Sequence, residues 1–190
     1  MKDKGLMGIG TLIIFIAVIL VAAVAAAVLI STSGSLQQQA LTTGGETEAG
    51  VATGAEIFSV TGTNGSDADV EYFSMLMRLQ PGSDNIKLNN TVMTLDTKDT
   101  FQQLTYGGTD TTGSSSVFNI TYLQNGTNAQ IHYLTPGDVL QVEFQSSSGI
   151  GERAAMRIRF IPRAGLPAEV DFNTPETMIS ERIKLYPIGG

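Results

Sequence analysis

The chain has no cysteine and only one histidine among its 190 residues. Without cysteine, disulfides and thiol chemistry are excluded, so packing and backbone hydrogen bonds alone must hold the folded chain together. His132 cannot supply a histidine pair for zinc, and no serine or aspartate is placed beside it to make a catalytic triad. No glycine-rich phosphate loop stands between a strand and a helix. We therefore expect neither an enzyme nor a cofactor.

Basic residues are also scarce. Eleven Lys and Arg stand against 18 Asp and Glu, which gives a formal net charge of −7. An acidic surface keeps many copies soluble and disfavours nucleic acid, whose phosphates need a basic face. Only Arg153, Arg157, Arg159 and Arg163 lie close together, and their strand-like, partly apolar context predicts a solvated strand face.

One stretch, Leu6 to Ile30, carries no charged residue over 25 positions. As a helix it would be roughly 37 Å long, at about 1.5 Å per residue, and would cross a bilayer core of about 30 Å. No face of such a helix would be polar. It must therefore be enclosed by lipid or by other apolar protein.

This apolar run has three possible destinations: a signal peptide, a permanent anchor, or a helix that leaves the membrane for an assembly. Apolar Val28–Ile30 follows the alanines, so the run is too long for a signal peptide. The pairs Ala22/Ala26 and Ala23/Ala27 place small residues four apart, which lets helices approach closely and favours assembly. The basic head, with Lys2 and Lys4, would remain cytoplasmic.

The same region resembles the start of the archaeal flagellins, or archaellins. The segment Lys4 to Ala17 (KGLMGIGTLIIFIA) joins a cleavage context, a Gly-Ile-Gly-Thr entry and an apolar helix in one register. Val18 to Gly34 and Leu36 to Gln39 are similar to the same family. Type IV pilins proper usually carry glutamate where this chain has Gly10, which separates it from them.

The resemblance implies how the chain is processed and assembled. A type IV prepilin-like peptidase would remove the leader, residues 1–5, between Gly5 and Leu6. The mature helix would leave the cytoplasmic membrane and join copies of itself in an extracellular filament. A membrane assembly platform and an ATP-driven motor would then build and rotate this filament for swimming.

The next segment, Ser31 to Gly54, carries a thin apolar stripe that is compatible with a continuing helix. Gly34 and Gly44-Gly45 are candidate kinks, and a flexible linker fits the composition nearly as well. In archaellins the helix is long, so the resemblance favours a helical stalk. We expect a leader at 1–5, an apolar helix and stalk at 6–54, and an outer domain at 55–190.

Short β-rich segments separated by turn signals fill the rest of the chain, which predicts an antiparallel sandwich. The expected fold class is α+β: a long N-terminal hydrophobic helix followed by an antiparallel Ig-like β-sandwich. Arg78 to Leu95 and Arg157 to Pro187 resemble archaellin strands, whereas residues 97–135 match nothing in that family. The predicted strands are 56–60, 69–79, 91–95, 101–106, 117–123, 130–134, 139–144, 155–162 and 178–186.

Four asparagines stand in N-x-[ST] sequons. They are Asn64, Asn89, Asn119 and Asn125. Because archaellins are commonly N-glycosylated, the resemblance favours carbohydrate on some of them, and Asn64 and Asn125 stand in the clearest loops. The alternative is that several are only turn residues.

Three carboxylates, Asp67, Asp69 and Glu71, lie two apart and would share one side of a strand. They are a weak candidate for Ca²⁺, and a solvated strand face is the favoured interpretation, so we expect no metal.

Two other classes of protein share the apolar helix. A type IV pilus-like adhesion subunit would be processed in the same way but would not rotate. A monomeric, membrane-anchored β-domain would retain residues 1–5.

Overall fold

A single α-helix, α1, runs from Lys2 to Ala52. It belongs to a computed structural model that describes residues 2–64, 69–109 and 113–187. The helix assignment passes through Gly34 and Gly44-Gly45 without interruption, so no unstructured linker forms there. Each glycine costs only about 1 kcal/mol in helix propensity, and the surrounding Leu, Gln, Ala and Glu residues favour the helix.

After the helix the described chain forms eleven β-strands. The first five are β1 (Ala55–Asn64), β2 (Val70–Leu79), β3 (Ile86–Lys87), β4 (Val92–Thr97) and β5 (Phe101–Thr109). A 3₁₀ turn at Leu88–Asn90 stands between β3 and β4. The others are β6 (Val117–Gln124), β7 (Tyr133–Leu134), β8 (Val139–Ile150), β9 (Ala155–Ile161), β10 (Ala168–Asn173) and β11 (Arg182–Tyr186).

Nine of these strands form one sheet in the order β10-β9-β4-β5-β6-β8-β2-β1-β11. All pairs are antiparallel except β5 and β6, which run parallel. The short strands β3 and β7 pair separately. The predicted class, a long helix followed by a mostly antiparallel β-domain, is confirmed.

The sheet folds over so that its inward faces meet in one core. Phe118 of β6 packs edge-on against Phe160 of β9, with ring centroids 6.4 Å apart, although β4 and β5 separate those strands in the sheet. Within one layer, the facing residues Phe73 and Phe144 stack at 5.2 Å. Alternation of buried and exposed residues places these rings inside, as a half-buried strand requires.

The buried side-chain amide of Gln102 bridges β5 and β8 next to the start of β6, where these two strands are not yet separated by it. Gln102 donates from Nε2 to the carbonyls of Ser115 (2.6 Å) and Gln145 (2.8 Å), and its Oε1 accepts from Ser147 N–H (2.8 Å). The side chain thereby joins β5 to β8 in place of ladder hydrogen bonds. Because all its groups are paired, burial of this polar residue carries little penalty.

Strand prediction succeeded where apolar residues alternate and failed where the pattern was short or polar. Strand β10 was missed because three of its six residues, Glu169, Asp171 and Asn173, are polar, although they all point outwards. The strand predicted at 139–144 is longer in the structure, because β8 continues to Ile150, which pairs with Val70.

His132 was expected in a strand but lies in a turn with φ of 68°. The carbonyl of this histidine accepts from Leu88 N–H, and its Nδ1 lies 2.8 Å from the Tyr106 hydroxyl. These contacts hold the residue in a conformation that a strand does not use.

The exposed face of β9 carries arginines that are paired with carboxylates of β10. Arg157 binds both oxygens of Asp171 at 2.6 and 3.1 Å, and Arg159 binds Glu169 at 2.9 Å. The hydrogen bond from Arg157 lowers the pKa of Asp171. The solvated strand face predicted for these arginines is therefore a ladder of ion pairs, which also protects an edge strand from association.

Truncation of Phe118 tests the folded-over core. Phe118→Ala removes a fully buried ring that contacts Tyr106 and Phe160, so the free energy of unfolding should fall by about 3–5 kcal/mol. Phe101 is 68% exposed, so Phe101→Ala should change it by less than about 0.5 kcal/mol in the unassembled chain. Denaturant unfolding in detergent measures both, and equal losses would contradict the described core.

Candidate assembly surface and attachment points

The helix α1 exposes apolar side chains on every face. Ile14, Leu20 and Ile30 are 66%, 62% and 73% exposed, and they point in different directions around the axis. The part from Gly8 to Ala52 is long and apolar enough to cross a membrane, with a mean hydropathy of 3.4 in its most apolar window. Such a surface is not stable in water and requires an apolar environment all round.

Small side chains make this apolar surface uneven. A shallow groove lies between Leu20, Val21, Val24 and Ala25, and Ala25 was not among the packing residues predicted from sequence. The predicted pairs, Ala22/Ala26 and Ala23/Ala27, lie on other faces of the helix, and the two members of each pair stand one turn apart. A bulkier side chain of a neighbouring helix could enter such a groove.

The glycines near the helix start have no packing role within the chain. A Cβ placed on Gly8 or Gly10 would meet no atom within 4 Å apart from the local helix backbone. The backbone at Gly5 and Leu6 is helical, because α1 begins at Lys2. Any requirement for glycine at 8 or 10 therefore comes from outside the single folded chain.

The helix end is fastened to the β-domain by a cluster of hydrogen bonds. Ser83 Oγ accepts from Gly54 N–H at 3.0 Å and lies 3.2 Å from the carbonyl of Ala52, to which it can donate. Thr53 O accepts from Leu166 N–H at 2.7 Å, and Gly54 O accepts from Gln80 N–H at 2.9 Å. These contacts satisfy backbone groups that a helix end leaves unpaired.

Close approach at this junction requires a glycine. Gly165 has φ of +112°, and a Cβ there would lie 2.6 Å from the carbonyl oxygen of Thr53. The residues of the junction fall within the compact unit that spans residues 47–190, while residues 1–46 form the other unit. The last helical residues are thus held by the domain that follows them.

Burial separates the candidate glycosylation sites. Asn119 is only 4% exposed within β6, so in the folded domain its side chain is not accessible to carry a glycan. The Asn64 side chain, with the rest of its sequon, lies outside the described residues. Asn89 is exposed in the 3₁₀ turn, but Thr91 of its sequon is buried and bonds to the carbonyl of Leu88 at 2.7 Å.

Asn125 stands exposed on a well-ordered loop after β6. The buried carboxylate of Asp138 accepts from Gly126 N–H at 2.7 Å and from Thr135 N–H at 2.8 Å. Tyr122 Oη lies 2.7 Å from the carbonyl of Tyr133 and closes the loop from the other side, and its burial raises the pKa of that hydroxyl. The loop presents Asn125 to solvent.

The weak calcium candidate gains no support from the described residues. Asp67 lies outside them, and Asp69 and Glu71 are half-buried. Within the described part, no group of three His, Cys, Asp or Glu residues is placed to hold a metal ion. Asp69 instead packs beside Gly149, where an added Cβ would lie 2.8 Å from the Asp69 Cβ.

A long helix that is apolar all round, followed by a β-domain, fits two classes of protein: a filament subunit whose helices enclose one another, and a surface domain anchored in a membrane. The family model for archaeal-type flagellin matches residues 5–172. The chain belongs to the archaeal-type flagellins, the filament subunits of the archaeal flagellum.

Relatives match along nearly the whole chain. Flagellin B5 of Pyrococcus abyssi is 34% identical over 96% of this chain and 99% of the relative. Flagellin B1 of Methanococcus voltae is also 34% identical, over 97% of this chain and 96% of the relative.

Two solved structures share the fold. The archaeal flagellum of Methanospirillum hungatei superposes with a TM-score of 0.73 and 15% identity, over 93% of this chain and 98% of that one. The crystal structure of flagellin FlaB1 from Methanocaldococcus jannaschii superposes with a TM-score of 0.66 and 20% sequence identity. The superposition covers 70% of this chain and 97% of that one.

Removal of the Ser83 hydroxyl should loosen the helix end. Ser83→Ala leaves the Gly54 N–H unpaired in a buried setting, at a cost of about 1–3 kcal/mol. Amide hydrogen exchange at Gly54 should then quicken in the unassembled chain in detergent. Ser35→Ala is the control, because that hydroxyl only bonds back to its own helix. Unchanged protection at Gly54 would refute the clamp.

Proposed function

We propose that this flagellin is exported with a short leader, residues 1–5, and polymerises through the helix that begins at Leu6. The helix and stalk, residues 6–54, form the filament core, and residues 55–190 form the outer domain. The observation that carries this proposal is the helix surface, which is apolar on every face and has no partner within the described chain. Identical helices from other copies supply the enclosure that it needs.

Transfer from lipid to filament is not driven by escape from water. Lipid tails are about as apolar as leucine, so the helix gains little hydrophobic free energy in the exchange. Close packing at small residues contributes instead, through Ala22, Ala23, Ala26 and Ala27 and the groove beside Ala25. Contacts between outer domains add to it.

The proposed partners follow from this route. A prepilin-type peptidase cuts between Gly5 and Leu6, and a membrane platform receives the mature subunit. A motor rotates the finished extracellular filament for swimming. Among processed subunits, an adhesive pilus-like subunit is the second candidate, and loss of swimming in a strain that lacks this chain would distinguish the two.

Replacement of Gly5 tests the leader. Gly5→Val puts a branched side chain beside the scissile bond, where the peptidase accommodates glycine, so uncut precursor should accumulate in the membrane and filaments should be absent. Intact mass and N-terminal sequencing of the membrane and filament fractions measure this.

Gly34→Val is the control, because it makes the same replacement far from the leader, at a position where an added Cβ meets nothing within 4 Å of the chain. Its product should still begin at Leu6. Normal filaments from Gly5→Val, or an unsubstituted filament protein that begins at Met1, would refute the scheme and favour a simple anchor.

We propose Asn125 as the principal carbohydrate attachment site, with Asn89 as a secondary one. Asn125→Gln should lower the mass of the filament subunit by one glycan, because this side chain is exposed on an ordered loop. Mass spectrometry of purified subunits measures the change. An unchanged mass in both Asn125→Gln and Asn89→Gln would rule out both positions.

A further inference from the structure

An exposed aromatic ring stands at the tip of the β4–β5 hairpin. Phe101 is 68% exposed, although it directly follows a tight turn of four residues, Thr97 to Thr100. Lys98 and Asp99, also exposed, form the crest of that turn. Neither of these two charged residues pairs with a described residue of opposite charge within 4 Å. We call this exposed tip, residues 98–101, the knob; it presents one ring and one charge of each sign.

The base of this knob is held firmly. Thr97 and Thr100 close the turn through hydrogen bonds of 2.9 and 3.0 Å. Thr100 Oγ1 lies 3.2 Å from Ser148 Oγ, and the next residue after Phe101 is the buried Gln102 that joins β5 to β8. A rigid projection loses little conformational entropy on docking, which favours affinity.

A groove of about 360 Å³ opens on the outer face of the sheet, across β6, β8, β2 and β1. Its apolar lining comes from Tyr72, Leu76 and Leu123, of which Tyr72 is 44% and Leu123 is 54% exposed. Glu143 and Arg182 line it as well. A cavity of about 150 Å³ is enough for a benzene ring, so the groove can receive a phenylalanine side chain.

We propose that the knob of one copy of this chain docks in the groove of a neighbouring copy. The Phe101 ring fills the apolar part between Tyr72 and Leu123. Lys98 faces Glu143, and Asp99 faces Arg182, so the single charge of each sign on the knob meets its opposite in the groove. Apolar anchors ringed by complementary charges are the usual composition of a protein interface.

Other exposed apolar residues fit the groove less well. Ile179 is 91% exposed, but its neighbours Glu176 and Glu181 are both acidic and provide no positive charge to pair with Glu143. Ile131 is 70% exposed and lies in a loop that has no Asp, Glu, Lys or Arg between positions 125 and 137. Of these three exposed apolar sites, the knob at 98–101 is the one that matches both the apolar and the charged parts of the groove.

The contact is heterologous, because knob and groove are formed by different residues. A heterologous contact that does not close on itself extends into an open helical polymer. The inference rests on the chain's being a filament subunit, and it adds a second, outer set of contacts to the packing of the core helices.

The absence of cysteine makes a direct test possible, because engineered thiols have no natural competitor. Filaments would be purified from cells whose only archaellin carries Phe101→Cys together with either Tyr72→Cys or Leu123→Cys. Oxidation with copper-phenanthroline and oxygen should then give a ladder of covalent oligomers on a denaturing, non-reducing gel. Each single-cysteine chain should stay monomeric on the same gel.

The matched control pairs Leu123→Cys with Ile131→Cys, because Ile131 is exposed to a degree similar to Phe101. Intact filaments without oligomers from either Phe101 pair, or an equal ladder from the Ile131 control, would overturn the docking alone. Absence of filaments from the unsubstituted chain would overturn helix-driven assembly and the docking with it.

Charge reversal gives an independent readout. Lys98→Glu should raise the amount of subunit released from warmed filaments, and Lys98→Glu with Glu143→Lys should restore the original release. Phe101→Ser should raise release roughly tenfold, as expected when an interface anchor is truncated. Release unchanged by Phe101→Ser, or a double reversal no better than Lys98→Glu alone, would contradict the contact.

Discussion

The whole molecule depends on one constraint: a long helix with no polar face cannot remain in water. From Ile9 to Ile30 its large apolar side chains are exposed in the single chain, so the folded protomer lacks the apolar surroundings that this helix needs. In the proposed assembly route, lipid satisfies the constraint first and neighbouring helices satisfy it in the filament. Polymerisation is then the condition under which this chain is stable outside a membrane.

The β-domain meets a different demand, because it must stay folded outside the cell without a disulfide. Its core is closed by aromatic and aliphatic side chains from both layers, with Phe118 against Phe160 across the fold. Buried polar groups at two critical points, Gln102 and Asp138, have their hydrogen bonds satisfied within the domain. The clamp around Ser83 then ties this stable unit to the last residues of the helix.

Prediction from sequence worked where one local period dominates. The apolar run predicted the helix, and alternating apolar residues predicted most strands, because burial of one face of a strand gives a period-2 pattern in the sequence. Strand β10 has a weaker apolar pattern, because half of its residues are polar, and it was not predicted. His132 was misplaced because its turn is set by the carbonyl bond to Leu88, far away in sequence. The sequence favoured Asn64 and Asn125 among the four sequons, but it did not show that Asn119 is buried.

Composition and periodicity alone determined that the helix must be enclosed, that thiol chemistry is absent, and that a β-rich domain follows. Tertiary structure alone decided the strand order, the exposure of Asn125, and the placing of Tyr72, Leu123 and Arg182 around one groove. The physical reason is distance along the chain. Ser83 meets Gly54 across 29 residues and Gln102 meets Gln145 across 43, and no local pattern encodes which distant residues will pair.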